Sequence, residues 1–427
     1  MQTPSPAPLP AAFHRFVAAS GLSNLGDGIA TLVWTWAATL LTRDPLLIAA
    51  VPVALRMPWF LAAIPAGIVT DRTDRRHLIL GMDAARAVLF ALAGLALWAA
   101  LPLAPPPDRG TSAPGLFALL MAAAGLVGLA EVFRDTAAQT MLPALVGRHR
   151  LEAANGRLWS AEFLGNAMIG PALGAMLVAL WLPLPFLGNA AAYLAALALL
   201  IPLAGPFRAS GPADGVARRR DWRAELREGL AFLRGAPLLR SLAWITGGWN
   251  LLWQMATVAL LLRAQEVLHL SAPVYGLVLA GGAAGGIAGG FAGEAVARRF
   301  GASRSARWSL AACTLVFPGM ALAPGPVSLA LVLAAFEFTG IVWNTVSVAY
   351  RQRHIPDALL GRVNSLYRLV AWGMMPLGPA LSGVILRLGD AVLPRETALA
   401  LPLILATAGS AALTWAAWRP LGGDFGR

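Results

Sequence analysis

The chain has 427 residues, of which 58% are hydrophobic and only 13% are charged, a composition too apolar for a soluble globular protein. The net charge of +12 would suit a nucleic-acid-binding protein. However, the basic residues, all of them arginine, stand mainly in short loops between apolar stretches. In that position they act as a signal of membrane orientation.

Twelve apolar stretches follow one another, each close to the roughly 20 residues that a helix needs to cross a bilayer. The first has no basic leader and no clear cleavage site, so we expect it to be retained as a helix. The sequence therefore predicts an all-α polytopic membrane protein. We number the stretches spans 1 to 12, and they cover residues 13–41, 46–70, 78–101, 114–140, 152–181, 185–206, 238–266, 272–297, 305–324, 327–350, 361–388 and 396–418.

The arginines are distributed unequally between the two sides that twelve spans define. Because positive residues resist translocation, both termini are predicted to be cytoplasmic. The absence of lysine and the abundance of alanine, glycine and proline are typical of a GC-rich bacterial genome, which indicates a bacterial inner membrane. The few arginines in loops on the side opposite the termini are Arg43, Arg109, Arg263, Arg387 and Arg395.

The loop between spans 2 and 3 carries an acid and several arginines in ten residues. It begins at Gly67, a small residue that would let two helices approach closely, and continues to Asp71, Arg72, Arg75 and Arg76. This pattern resembles the signature loop Gly-x-x-x-Asp-Arg-x-Gly-Arg-Arg of the major facilitator superfamily. The chain departs from it at one place, with Asp74 where the family usually has glycine.

The resemblance implies a transporter fold of two six-helix halves that move about a central cavity. It also implies that the loop forms a cytoplasmic gate, in which Asp71 pairs with nearby arginines and with Arg134 or Asp135 at the end of span 4. Asp83 and Arg86, three residues apart in span 3, would extend this gate. The alternative is that the loop holds the surface ends of the helices together without moving, and that its arginines also set the membrane topology.

An internal repeat supports two halves. Gly170-Pro171-Ala172-Leu173 in span 5 recurs as Gly378-Pro379-Ala380-Leu381 in span 11. We predict halves at 1–206 and 238–427, joined by a cytoplasmic linker at 207–237 with an amphipathic helix. With Gly174, the span 5 motif partly matches one found in exporters, and a plain packing kink is the alternative.

Short motifs place the chain closest to drug–proton antiporters, the subfamily of macrolide efflux proteins and the enterobactin exporter. These motifs are residues 23–28 in span 1, residues 227–234 before span 7, and residues 352–363 just before and at the start of span 11. This resemblance implies proton-coupled efflux of small hydrophobic or amphipathic compounds, such as drugs or a siderophore, with no cofactor. It also implies a monomer whose partners are lipid, substrate and protons.

Two acids lie at bilayer depth, Asp27 in span 1 and Glu337 in span 10. A charge at a helix centre costs at least ~2.5 kcal/mol, so it requires a partner, a wet cavity or a neutralising proton. In this fold spans 1, 4, 7 and 10 line the cavity. We therefore predict that both acids are weakly paired and couple protons to substrate. The alternative is that hydrogen bonds to asparagine or Arg56 make them structural.

Polar and aromatic residues on the same helical faces are the predicted substrate contacts, since aromatic walls suit bulky amphipathic ligands. They are Asn24, Trp34, Trp249, Asn250, Trp253 and Asn344. Packing or lipid contact is the alternative for each tryptophan.

Two ion pairs between the halves are also predicted. Glu162 would pair with Arg298, and Arg368 would pair with groups near Asp71. Glu131, by contrast, is predicted to belong to a structural ion cluster with Arg134.

The sequence gives little indication of metal binding, phosphate binding or catalysis. The sequence has one cysteine, no phosphate-binding loop and no histidine pair at helical spacing, so no metal site is predicted. An importer or facilitator of a small polar solute is the alternative within the fold. A membrane-embedded lipid-modifying enzyme is a remote one, because the sequence lacks a clustered catalytic constellation.

Overall fold

The computed structural model describes residues 10–146, 151–205, 207 and 222–423, without the side chains of Asp71 and of other helical residues, among them 222–226 and 357–362. The regular structure of these residues is helical, and the helices occur at the places predicted for spans 1 to 12. The predicted fold class is therefore confirmed. Of the linker predicted at 207–237, residues 208–221 fall outside the described residues.

The first six spans are Ala11–Thr39, Pro45–Arg72, Arg75–Ala99, Pro114–Val146, Leu151–Leu180 and Leu184–Leu200. Span 5 contains a π-helical turn at Leu164–Ile169. A helix at Trp222–Gly235 precedes the last six spans, which are Pro237–Glu266, Ala272–Phe300, Ala302–Leu322, Pro326–His354, Asp357–Gly389 and Arg395–Trp418. Span 11 is interrupted after Gly373 and resumes at Leu377, and a short helix, Pro420–Gly423, ends the described chain.

Ten helices among the described residues are long and apolar enough to cross a membrane. Span 6 is apolar but shorter, at 17 residues. Span 9 is not among the ten, because Arg304 and Arg307 in its first turns lower its mean hydropathy. Together these helices make a multi-pass membrane protein.

Proline and aspartate set where several spans begin. Proline occupies the first helical position of spans 2, 4, 7 and 10, where its missing N–H costs no hydrogen bond. Asp44 caps span 2 by accepting a hydrogen bond from the Leu46 amide at 3.1 Å. Asp74 caps span 3 in the same way, through the His77 amide at 3.1 Å. The residue that departs from the family loop therefore has a local role, which is to start span 3.

Buried apolar residues form separate clusters in the two predicted halves. Three clusters contain only residues up to position 207. The largest cluster contains only residues from position 232 onward. We call spans 1–6 and spans 7–12 the two sets of helices. Smaller clusters combine residues from both sets, and one example is the contact of Ile48 and Ala49 with Val258 and Leu386. The division of the chain into halves remains a proposal, and this segregation supports it.

Glycines permit close helix crossings at equivalent places in the two sets. A Cβ atom at Gly170 would lie 2.6 Å from the Cα atom of Gly28 in span 1. A Cβ atom at Gly378 would lie 2.7 Å from the Met255 amide nitrogen in span 7. The repeated Gly-Pro segments thus pack span 5 on span 1 and span 11 on span 7. Gly174 likewise lies against Ile29, and Pro171 and Pro379 are buried beside these contacts.

Candidate functional site: a central cavity between the two helix sets

A central cavity of about 330 Å³ lies between the two sets of helices. Residues from spans 1, 2, 4, 5, 7, 8, 10 and 11 line it, so both sets contribute to its wall. Its charged residues are Asp27, Arg56, Glu131 and Glu337. Its uncharged polar residues are Thr31, Thr35, Asn166, Gln254, Thr257 and Tyr275.

A second cavity, of about 440 Å³, continues from the first. The two share Arg56, Glu131, Asn166, Ala167 and Met375. The second cavity extends toward the face that carries the Thr73–Asp74 turn, which we call the signature face. Glu162 and Gln139 on its wall are solvent-exposed, so this side of the molecule is open.

The opposite, distal face carries the loops at 40–44, 100–113 and 267–271, and there the two sets of helices are in contact. The Arg387 guanidinium at the end of span 11 donates to both carboxylate oxygens of Asp44, at 3.1 and 2.8 Å. Gln265 at the end of span 7 donates to Thr39 Oγ1 at 3.1 Å. Because these bonds join the two sets, the central cavity is closed on this face. Sequence reasoning did not predict the Asp44–Arg387 pair.

Glu337 lies on the wall of the central cavity without a charged neighbour. It has no ion pair or hydrogen bond with another described residue. Its surroundings are apolar and close: a Cβ atom at Gly286 would contact both Glu337 and the Phe163 ring. The preceding residue, Phe336, stacks on Trp253 with ring centroids 4.1 Å apart. Glu337 therefore matches the weakly paired acid that the sequence predicted.

Asp27 differs from that prediction. Although it also lines the cavity, its Oδ1 atom accepts hydrogen bonds from Arg86 and from the Tyr193 hydroxyl, each at 2.8 Å. The Arg86 guanidinium lies 4.3 Å from the centroid of the Tyr193 ring. The expectation that Asp27 is weakly paired is wrong, because span 3 supplies an arginine at its depth.

Arg86 is the centre of a buried charge cluster, which we define as Asp27, Asp83, Arg86, Arg134 and Asp135. Arg86 and Asp83 are fully buried and 2.6 Å apart. Arg134 lies 3.7 Å from Asp83 and 3.2 Å from Asp135. Arg134 in span 4 thus pairs both with its neighbour Asp135 and with Asp83 of span 3. Asp83 and Arg86 pair as their spacing predicted, but they do so inside the first set of helices and not in a surface gate.

The signature loop makes contacts within the first set of helices. Arg75 donates to the Thr140 carbonyl at 2.9 Å, and Arg76 donates to the carbonyls of Leu200 and Ile201. These bonds join the loop to spans 4 and 6. Arg72 is exposed, and a Cβ atom at Gly67 would have nothing within 4 Å. The close helix approach predicted at Gly67 is therefore absent here. The Asp71 side chain lies outside the described residues.

Neither of the predicted pairs between the halves is formed among the side chains that the structure describes, which do not include that of Asp71. Arg298 pairs instead with Glu294, one turn earlier in span 8, at 3.4 Å. Arg368 donates to Gln139 in span 4 at 3.4 Å and lies over the Trp372 ring. Glu162 and Arg368 line the same cavity, but no ion pair joins them. The openness of the signature face explains these differences.

Of the predicted substrate contacts, only Trp253 lines either cavity. Trp34 is 1% exposed and packs on Phe90 and Phe186 in the apolar core. The cavity-facing stripe of span 1 is Asp27, Thr31 and Thr35, at steps of four residues, and Trp34 lies beside it.

The other predicted contacts make structural bonds or lie outside both cavities. Asn24 is buried, donates to the Ser20 carbonyl and is covered by span 5 at Gly165. Asn250 donates to the Ala371 carbonyl at 2.8 Å, which joins span 7 to span 11. Trp249 is buried against Trp343, and Asn344 is exposed outside both cavities.

Sequence reasoning also missed two features of the cavity wall. Arg56 pairs with Glu131 at 3.6 Å, so the structural partner of Glu131 is Arg56 in span 2. Asn166 lies in the π-helical turn of span 5 and lines both cavities. The Gly-Pro step four residues later was a signal of irregular helix at this place. π-Turns of this kind occur frequently at functional sites.

A sequence model of the Major Facilitator Superfamily matches residues 16–379. The chain belongs to this superfamily. It is therefore a membrane transporter and not an enzyme, and the resemblance of the 67–76 loop is confirmed at that level. No curated relative matches the sequence.

Solved transporter structures resemble the whole chain. A bacterial homologue of the iron transporter ferroportin, in an inward-facing state, has 16% identity and a TM-score of 0.73 over 96% of this chain and 98% of that one. The nucleoside transporter NupG, as its D323A mutant, has 12% identity and a TM-score of 0.70 over 96% and 100%. A bacterial homologue of the lysosomal transporter Spinster, inward-facing, has 16% identity and a TM-score of 0.68 over 96% and 97%. At these identities the likeness establishes the fold and not the substrate.

Proposed function

We propose that this transporter exports small hydrophobic or amphipathic compounds, neutral or cationic, in exchange for protons. The observation that carries the proposal is Glu337, the acid on the cavity wall that has no described partner. The other cavity acids are compensated, Asp27 by Arg86 and Glu131 by Arg56. A single uncompensated carboxylate in an apolar setting is costly when charged, and either a proton or a cationic ligand would neutralise it. Competition between the two is a means of antiport.

The surroundings of Glu337 favour an amphipathic ligand. Trp253 and Phe336 form an aromatic stack beside it, and an aromatic face attracts organic cations. The cavity's one arginine, Arg56, is already paired with Glu131, so a free positive charge for an anionic solute is absent from the described wall. We place the signature face in the cytoplasm of a bacterial cell, which makes the described state inward-facing and gives a cytoplasmic substrate direct access.

An importer or facilitator of a small polar solute is the second candidate. The cavity wall favours it at one place, where Thr31, Thr35, Gln254 and Thr257 offer hydrogen-bonding groups from spans 1 and 7. Among similar solved structures is a D-xylose–proton symporter, with 13% identity and a TM-score of 0.66 over 93% of this chain and 96% of that one. Direction of transport distinguishes the two candidates.

The proposal is tested in proteoliposomes with an imposed pH gradient and a fluorescent lipophilic cation as substrate. The wild-type protein should move the dye against the direction of proton flow, and reversing the gradient should reverse the dye flux. Glu337→Gln should lose this response while it retains dye exchange without a gradient, because the glutamine side chain cannot exchange a proton.

Glu294→Gln is the matched control, since Glu294 is exposed and lies outside both cavities. It should behave as the wild type. Proton-driven dye movement in Glu337→Gln would disprove the coupling role. Uptake of sugars or nucleosides together with protons, without dye transport, would support the second candidate.

A further inference from the structure

A groove of about 730 Å³ lies between spans 9 and 12, and none of its lining residues lines the central cavity. Leu315 and Trp415 on its walls are 74% and 83% exposed, so the groove faces lipid in the membrane. We propose that it binds an anionic phospholipid of the leaflet at the signature face. The phosphate would lie at the end of the groove near Arg419, and an acyl chain would lie along its length.

Positive charge is concentrated at that end of the groove. Arg419 lines it, and the Arg307 guanidinium carbon lies 5.1 Å from the centroid of the Trp418 ring. Neither arginine has an acidic partner among the described residues, and the buried Nε atom of Arg307 has no hydrogen-bond acceptor. Arginine binds phosphate oxygens with several N–H groups at once, and basic pockets between spans attract anionic headgroups.

A group of hydroxyls lies deeper in the same groove. Thr314 Oγ1 is 3.1 Å from Ser410 Oγ and 3.2 Å from Thr414 Oγ1. Thr414 precedes Arg419 by five residues, which is about 7.5 Å along a helix. A phospholipid bound by its phosphate at Arg419 would place its ester carbonyls near this depth, where Thr414 can donate a hydrogen bond to them.

The remaining wall is apolar and open. Ala311 and Ala411 leave space between the two helices, and Leu315 and Trp415 border it. Trp418 lies at the level of the arginines, the usual depth of tryptophan at a membrane surface. From the surface inward the groove thus presents a cationic end, hydroxyls and an apolar channel, which is the order of groups in a phospholipid.

Native mass spectrometry of the full-length protein in detergent, titrated with phosphatidylglycerol or phosphatidylcholine, tests the proposal. Phosphatidylglycerol should bind the wild type more tightly than phosphatidylcholine does. The double variant Arg307→Gln with Arg419→Gln should weaken phosphatidylglycerol binding by about 30-fold. Ala411→Phe retains both arginines but fills the groove, so it should weaken binding too.

The matched control is Arg240→Gln with Arg299→Gln, which removes the same charge from exposed helix ends outside the groove. It should retain wild-type affinity, and melting curves should verify that every variant is folded. Equal binding of the two lipids would overturn the proposal. So would an equal loss of affinity in the control, or full affinity in Ala411→Phe.

Discussion

Three acids on the wall of the central cavity differ in their charge compensation. Asp27 receives two hydrogen bonds, Glu131 has an arginine at 3.6 Å, and Glu337 has no described partner. Asp27 and Glu131 each pair with an arginine, whereas the Glu337 carboxylate has no such partner among the described residues. We therefore propose that the proton-coupling role predicted from the sequence for two residues belongs mainly to Glu337.

Arg86 should be essential to stability, because it is fully buried and contacts both Asp27 and Asp83. Arg86→Met would remove the guanidinium that these two buried carboxylates contact, and it should lower the free energy of unfolding by about 3–5 kcal/mol. Arg72→Met, at an exposed position at the end of span 2, should change stability by less than about 0.5 kcal/mol. Thermal unfolding in detergent measures both. Equal melting temperatures for the two variants would show that the buried charge cluster does not stabilise the fold.

Trp253 should contribute to substrate affinity, since it is the predicted aromatic contact that lines the cavity. Trp253→Ala removes a stacking surface worth about 0.5–1.5 kcal/mol, and should weaken dye binding by up to roughly tenfold. Trp98→Ala, at a tryptophan that is 58% exposed outside the cavity, should leave binding unchanged. Equilibrium dye binding to the purified protein measures the difference. Unaltered affinity in Trp253→Ala would place the ligand elsewhere.

At the scale of the helix, glycine decides which spans cross closely. A Cβ atom at Gly285 in span 8 would overlap the Ala334 carbonyl oxygen in span 10. Gly128 in span 4 would similarly overlap the Leu55 carbonyl oxygen in span 2. Spans 4 and 2 correspond to spans 10 and 8, so each set of helices contains an equivalent crossing. Small residues allow this approach in membranes, where helix packing depends on contact rather than on the hydrophobic effect.

Gly285→Ala should therefore destabilise the protein by about 1–3 kcal/mol, because the overlapping atom belongs to the backbone and cannot rotate away. Gly290→Ala, five residues later in the same helix, has open space within 4 Å and should be neutral or slightly stabilising. Comparison of their melting temperatures in one detergent tests the assignment. A neutral Gly285→Ala would mean that spans 8 and 10 separate without cost.

Hydropathy and a short loop were enough to predict the spans and the fold, since span length and glycine-proline punctuation are local properties of the chain. The cavity wall was predictable only in part. Helical periodicity indicated a polar face on span 1, but it could not distinguish Thr31, in the cavity, from Trp34, in the core. The partners of Asp27 and Glu131 come from spans 3 and 2, which are distant in sequence, and no local pattern identifies them.

For the whole molecule, the described state is closed at the distal face and open at the signature face. Asp44 and Arg387 are the ion pair that joins the two sets of helices at the distal face. Opening of that face during transport must break this pair. The arginines of the signature loop, by contrast, bind carbonyls within the first set and hold its own helices together.

Asp44→Asn should shift the protein toward a state that is open at the distal face, because it removes the charge from that pair. A single-cysteine reporter tests this: Thr257→Cys, in the cavity wall, in a Cys313→Ala background. A membrane-impermeant thiol reagent added at the distal side should label the reporter faster in the Asp44→Asn variant. The exchange Asp44→Arg with Arg387→Asp should restore slow labelling. Unchanged labelling in Asp44→Asn would show that the ion pair does not hold this face closed.

The interruptions in spans 5 and 11 have a mechanical consequence. One is the π-helical turn that ends at Ile169, and the other is the break after Gly373, and each directly precedes its Gly-Pro segment. Beyond each interruption, the distal piece is docked through Gly170 or Gly378 on a neighbouring span, whereas the piece on the signature side borders the open cavity. A helix bends most easily where its regular hydrogen bonding is broken. Spans 5 and 11 thus each contain a hinge at the depth of the cavity. The pieces on the signature side can bend about these hinges while the distal pieces remain docked.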